Sequence, residues 1–323
     1  MKPHHTARLR RLLGRITWRA WYQRHPGAGR VPVLCYHRIL PELVDDPRRP
    51  LYSLTPEQFA VHLAYLAREG YTALTLEEFA RAALRGAPLP PRPVMLTFDD
   101  GYADSYHLAW PLARRYNVTL NLFLCTGLMG RDGPMLVDCQ GFRPLSSGLG
   151  PAPLPAAWQA HARAHPHLWR PLTWEEAREM QAAGVGLGFH GHSHRDLGML
   201  APGEVRAELA KGLGLMETRL GRRPEAFAPP YGGYASLPWG CLEEVRQLGL
   251  CLLFTTVFGR PRLPLRGMLI PRLTILPTDD LAAFRRKLAG AEDFWGGVQW
   301  LAWRGRAVWA RGTGLLRRSG LKG

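Results

Sequence analysis

Short apolar runs and helix-period segments alternate along most of this chain. Six runs read as strands: Val31–Tyr36, Val94–Phe98, Val118–Leu124, Val185–Phe189, Leu250–Thr255 and Leu269–Leu276. Amphipathic patterns between them predict helices over Pro56–Arg68, Leu76–Leu84, Trp174–Ala183, Glu204–Leu220 and Leu242–Leu248. Pro56 directly after Thr55, and Glu175 two residues after Thr173, are ordinary helix-start chemistry. Strand alternating with helix from about residue 31 to 290 predicts an α/β fold with a mainly parallel sheet, open or closed into a barrel. Residues 130–172 break the rhythm with a Gly-, Pro- and Ser-rich stretch. They read as a long loop insertion, either a substrate-binding lid or a surface excursion.

Two of the apolar runs stop at residues able to hold a metal. PVMLTF ends in Asp99-Asp100-Gly101, and VGLGF ends in His190-Gly-His192-Ser-His194. In parallel α/β folds the carboxyl ends of the strands form the active face, so both clusters are expected there. His190 and His194 are four apart, and a helical turn or compact loop would aim both the same way while His192 points elsewhere. Of the neighbouring aspartates, one can bind a metal while the other faces a water. Two histidines and one carboxylate with open positions make a catalytic arrangement, since closed structural sites use four protein ligands. Either motif alone is weak: DDG is most often a turn, and a His-rich loop is often merely solvated.

The stretch LTFDDGY resembles the first motif of the polysaccharide deacetylase family, carbohydrate esterase family four. The segments CYHRI (35–39), SLTPEQFAVHLAYLAREGYTALTLEEF (53–79), LTWEEAREMQAAGVGLGFHGHSH (172–194) and FAPPYGGY (227–234) follow in the family's order. The resemblance covers about residues 31–280. It implies a distorted (β/α) barrel of about seven strands and a hydrolase removing acetyl groups from N-acetylated sugars of a polysaccharide or glycolipid. By the same resemblance Asp100, His190 and His194 are the metal ligands, with zinc the first choice and cobalt, manganese or nickel the alternatives. Asp99 is the general base, and a backbone N–H near Tyr231 in the PPYG turn holds the oxyanion.

The chain departs from the family pattern in three places. The position that often carries a base-orienting Arg is Ala228, and the later Asp-Trp and Leu-x-His motifs are not visible. The closest subgroup is therefore that of exopolysaccharide, poly-N-acetylglucosamine-type deacetylases. The proton donor is left to His192 by proximity. Arg272, in IPRLTI, either orients Asp99, binds substrate or forms a surface salt bridge; it is no proton donor near neutral pH. His37 either lines the same face or is a core histidine.

Charge then locates the partners. The net charge is +16, with +8 in residues 1–30 and +7 in 285–323, so the central 254 residues are near neutral. A broad phosphate-binding face, and with it nucleic acid, is therefore disfavoured. Six of the eleven tryptophans (Trp18, Trp21, Trp295, Trp300, Trp303 and Trp309) lie in these basic, amphipathic tails, 1–30 and 291–323. Such helical tails either bind an anionic membrane surface or pack on the barrel. The first alternative suits a lipid-linked sugar substrate. Five cysteines lack CxxC spacing and read as buried free thiols. No apolar stretch reaches membrane-span length and the N-terminus is a poor signal peptide. The expected location is cytoplasmic, peripheral on the inner face of the cell membrane. Two other functions compete: a non-catalytic carbohydrate-binding relative, and a membrane-surface adaptor acting through its tails.

Overall fold

The structure, a computed structural model, describes residues 29–41, 52–135 and 156–312, with 305–312 followed by backbone alone. Its strands are β1 (Val33–Tyr36), β2 (Arg38–Ile39), β3 (Ser53–Leu54), β4 (Thr72–Ala73), β5 (Pro93–Phe98), β6 (Asn121–Leu124), β7 (Gly186–Phe189), β8 (Ala226–Phe227), β9 (Leu252–Phe254), β10 (Leu269–Ile270) and β11 (Leu273–Thr274). Its helices are α1 (Pro56–Arg68), α2 (Leu76–Arg85), α3 (Trp110–Arg115), α4 (Ala156–Ala164), α5 (Pro166–Trp169), α6 (Trp174–Ala182), α7 (Pro202–Leu220), α8 (Leu242–Gln247), α9 (Leu281–Ala289) and α10 (Asp293–Gly312). Thr55, Thr75 and Thr173 cap α1, α2 and α6, each in a box with the Gln or Glu three residues on.

The main sheet is parallel throughout and runs β10-β9-β8-β7-β6-β5-β1-β11, with β4 also on β5. The ends of this path, β10 and β11, are halves of one stretch interrupted at Pro271-Arg272. Proline has no N–H for a ladder, and the Arg272 N–H turns to Val257 O instead. The stretch therefore meets β9 on one side and β1 on the other, curling the sheet into a barrel of seven staves. This is the distorted barrel that the family resemblance implies, although the single expected strand Leu269–Leu276 is split in two.

Side-chain alternation divides the core. Leu34, Leu96, Leu122, Leu187 and Leu253 face the outer helices, against residues such as Phe59 and Leu63 of α1 and Leu209 and Met216 of α7. Val33, Met95, Phe123, Leu252 and Phe254 face the other way, into a second cluster with Leu76 and Phe79 of α2. Burial on both faces explains why these strands read as continuous apolar runs. Each such buried Leu or Phe contributes about 1.5–3 kcal/mol.

The expected loop 130–172 needs correction. Residues 136–155 lie outside the described residues, but 156–169 form α4 and α5, with Trp158 and Trp169 almost fully buried. Arg38 anchors them: its guanidinium lies 3.8 Å from the Tyr102 ring centroid and 4.2 Å from that of Trp169, pairs with Asp104 at 2.8 Å, and donates to Leu168 O. The N-terminal tail, 1–28, lies outside the described residues. At the C-terminal end, Trp303 of α10 packs on Tyr234 and Trp239 (ring centroids 5.8 and 5.4 Å apart), while Val298, Trp300 and Leu301 are exposed. Among the described residues no helix is long and apolar enough to cross a membrane.

Candidate active site

The carboxyl ends of β5, β7 and β8 converge on one cluster. Asp99 and Asp100 follow β5, His190 follows β7, and the carbonyl of Ala228 follows β8. Asp100 Oδ1 lies 3.1 Å from His190 Nε2 and 3.3 Å from His194 Nε2. His190 Nδ1 is 2.6 Å from Ala228 O, and a carbonyl can only accept, so Nδ1 carries the proton and donates it. In the neutral ring Nε2 is then a bare lone pair facing a carboxylate oxygen. Two such acceptors stabilise each other only with a proton or a cation between them. Burial opposes charging His190, yet the hydrogen bond to Asp100 and the charges of Asp99 and Asp100 outweigh it and raise its pKa. The same field pulls the Asp100 carboxyl well below its usual range: burial alone would raise it, but His190 and His194 prevail.

One donor atom each from Asp100, His190 and His194 lies within 4.8 Å of the others, and all three residues are buried. With Nδ1 of His190 already pinned by a carbonyl, this donor set fits a divalent cation. The HGHSH segment is a compact loop, and His192 does point elsewhere, with its Nδ1 3.3 Å from Thr126 Oγ1. Burial, then Lys211, lowers its pKa. Among the described residues, three of the five non-glycine residues with positive φ belong to this site: Asp100 (74°), His194 (58°) and Tyr231 (64°). Each conformation costs of order 1–2 kcal/mol, and such strain concentrates where backbone geometry serves chemistry. The Tyr231 ring stands edge-on to His194, 5.2 Å between centroids, and its carbonyl accepts from Thr256 Oγ1.

Arg272 and Asp99 form the second half of the site. The guanidinium, fully buried, donates Nη1 to Oδ1 at 2.7 Å and Nη2 to Oδ2 at 2.6 Å, a two-pronged pair. Two more donors hold the guanidinium itself in place, Nε to Thr255 O and Nη1 to Thr97 Oγ1. A surface salt bridge is thereby excluded. Burial pushes the Asp99 carboxyl up, but Arg272 and then His190 more than offset it, leaving it below its ordinary value.

Three contributors were weak or unseen in the sequence. His37, after β1, lies on this face with a ring nitrogen within 4.8 Å of an Asp99 carboxylate oxygen, and its ring stacks on Tyr52. Cys35 donates its thiol to Asp99 Oδ2 at 3.6 Å. Glu208, on the buried stripe of α7 with Val205, Leu209 and Gly212, accepts the N–H groups of His192 and Ser193 and the Ser193 hydroxyl. An acidic residue on an apolar helix stripe was the signal for it. The stripe itself runs close to β7, since a Cβ on Gly212 would meet the Phe189 ring at 2.6 Å.

The family profile described as Polysaccharide deacetylase matches residues 86–251. YxkH of Bacillus subtilis is 24% identical over 215 residues, covering 67% of this chain and 61% of YxkH. The poly-beta-1,6-N-acetyl-D-glucosamine N-deacetylase of Escherichia coli K12 is 23% identical over 279 residues, 80% of this chain and 38% of the enzyme. The chain thus spans less than two thirds of either curated relative. Among solved structures, the Streptococcus pyogenes deacetylase PplD in complex with acetate aligns with a TM-score of 0.60 at 23% identity, covering 80% of this chain and 98% of PplD. IcaB from Ammonifex degensii aligns at 0.58 and 22%, covering 82% and 97%. These two likenesses establish a shared fold. The profile spans half of the chain and contains both metal-type motifs, and on that ground the chain belongs to the polysaccharide deacetylase family.

Proposed function

We propose that this protein is a metal-dependent N-deacetylase acting on N-acetylated amino sugars, of the poly-N-acetylglucosamine class. One observation carries the reading: the Asp100–His190–His194 donor cluster lies beside a buried Asp99 held by Arg272. The E. coli relative's named activity supports the substrate class. Asp100, His190 and His194 would hold the cation, zinc being the best match to two imidazoles and one carboxylate. Such a cation polarises the acetamide carbonyl and acidifies a water.

The chain's own residues do the rest. Asp99, kept ionised by Arg272, accepts the proton of the attacking water at a carboxylate oxygen. Arg272 prevents the carboxylate from rotating away. The backbone N–H at Tyr231, in a left-handed turn whose ring stands against His194, would hold the developing oxyanion. His37 protonates the leaving amine, a role that suits it better than His192 because it lies beside Asp99.

The test is acetate release from N-acetylglucosamine oligomers by metal-loaded and chelator-treated protein. Release that stops with chelator and returns with zinc is expected. Metal-loaded protein inert on every N-acetylated glycan would leave the non-catalytic carbohydrate-binding reading in its place. Glu208 fixes the loop between the two histidine ligands, so Glu208→Ala should weaken metal affinity by about 10–100-fold, the usual effect of losing an outer partner of a metal ligand. Equilibrium dialysis measures it, and unchanged affinity would remove that role.

The exposed Val298, Trp300 and Leu301 on α10, with Arg304 stacked over Trp300 at 4.7 Å, favour an anionic membrane surface as a further partner. A peripheral position on the membrane's inner face, and lipid-linked sugar as one form of the substrate, belong to the same proposal. Phosphatidylglycerol vesicles should float the full chain and leave Trp300→Ser/Leu301→Ser behind. Equal flotation of both discards the helix as the contact.

A further inference from the structure

A second group of donors sits on the same face, distinct from the Asp100–His190–His194 cluster. Cys35 Sγ, a ring nitrogen of His37 and a carboxylate oxygen of Asp99 lie within 4.8 Å of one another. Strand geometry assembles them. Cys35 pairs with Thr97 across β1 and β5, and each strand carries its next same-facing residue two positions on, at His37 and Asp99. The sulfur is 3.6 Å from Asp99 Oδ2. Zinc bonds of about 2.3 Å to sulfur and 2.0 Å to oxygen in a tetrahedron would set that edge at about 3.5 Å. His37 Nδ1 is buried and has no hydrogen-bond partner, while the residue as a whole is half-buried. A thiol with an imidazole is a donor set that selects thiophilic ions over magnesium or manganese.

We propose that Cys35, His37 and Asp99 form a second cation site, which takes zinc or cadmium when the metal is in excess and shuts down the centre. As the site fills, the thiol S–H bond breaks, its proton leaves to solvent, and a sulfur–metal bond forms. Asp99 exchanges the thiol hydrogen bond for the cation on Oδ2 and keeps both contacts to Arg272. His37 commits a ring lone pair. The groups assigned to accept and to supply protons are then both engaged. The second ion binds more weakly than the first. The buried thiol holds its proton firmly, the charge of Arg272 is adjacent, and a cation at Asp100 repels another nearby. Inhibition at excess metal rests on the deacetylase reading above; the site itself does not.

Cadmium titration of the metal-free full chain tests the site without turnover, through the ultraviolet charge-transfer absorption of a cadmium thiolate. The band should develop after the first equivalent is taken up, and manganese should produce none. It should vanish in Cys35→Ser, whose folding circular dichroism confirms. Zinc beyond the first equivalent should inhibit acetate release by the wild-type chain. Relative to its own maximal rate, Cys35→Ser should need at least about tenfold more zinc for the same inhibition, since even outer-partner losses cost that much metal affinity. If Cys35→Ser does not fold, His37→Gln should shift the cadmium midpoint upward by a similar factor. Absence of the band in the wild-type chain, or an unaltered band in Cys35→Ser, overturns the site. A normal band in a protein that deacetylates nothing overturns only the deacetylase reading.

Discussion

Asp99→Asn should bind metal as the wild-type chain does and lose about 10²–10⁴-fold in kcat, the range supplied by a positioned general base. Asparagine keeps the shape of the side chain and can still receive one prong of Arg272, so folding should survive. What goes is the carboxylate that Arg272 holds, and with it the proton acceptor assigned to the attacking water. His37→Asn should cut kcat as well, by about 10²-fold, and leave metal binding in place. Metal content by elemental analysis, with kcat against pH for both variants, decides the assignments. Near-wild-type turnover in Asp99→Asn would falsify the base, and near-wild-type turnover in His37→Asn would return the donor role to His192 or another group.

Arg272→Met is expected to damage stability and chemistry together. Removing one partner of a fully buried ion pair costs about 3–5 kcal/mol, because the other charge stays buried without compensation. The pH dependence has a definite sign. Arg272 holds the folded-state carboxyl of Asp99 below its ordinary value. The pair's stabilisation is thus fully present above the unfolded-state pKa of about 4 and is lost as pH falls through the lower folded value. In Arg272→Met the burial that raises the Asp99 carboxyl loses its largest opposing charge, so the carboxyl rises. Melting temperature against pH should therefore show the wild-type chain losing stability in acid and the variant losing less. Arg272→Lys keeps the charge but not the fork and should recover stability better than kcat. If Arg272→Met matches wild-type kcat at neutral pH, Arg272 does not position the base. Combining it with Asp99→Asn should cost less than the sum, since both act on one contact.

How far the sequence carried the argument follows from range. The parallel strands were legible because burial on both faces leaves uninterrupted apolar runs, and the Asp and His clusters announced themselves by stopping those runs. β8 was not legible: two residues, Ala226–Phe227, carry no periodicity, and only neighbours on both sides make them a strand. The helices at 156–169 were hidden in a segment whose Pro- and Gly-rich part dominates its composition, although Trp158 and Trp169 were there to be weighed. At the site, Asp100, His190 and His194 could be grouped from motifs. The setting of Arg272 could not be read, because its partner is 173 residues away and nothing local distinguishes a lumen-facing arginine from a surface one. His192 looked close to the site in sequence, and the left-handed residues Gly191 and His194 turn the loop so that it faces Thr126 instead.

The stretch that carries β10 and β11 has a consequence for how the protein matures. It joins the two open edges of the sheet, and the residue at its break is the one that clamps Asp99. Closing the barrel and clamping Asp99 are therefore a single event, and it spans a large sequence separation. Contacts of this kind form late in folding, after the entropy of a long loop has been overcome. A chain with every strand through β9 in register would hold His190 and His194 in place, leave Asp99 unclamped, and so be silent under the base assignment proposed above. Loosening this one seam in the mature protein would silence it again without unfolding the rest.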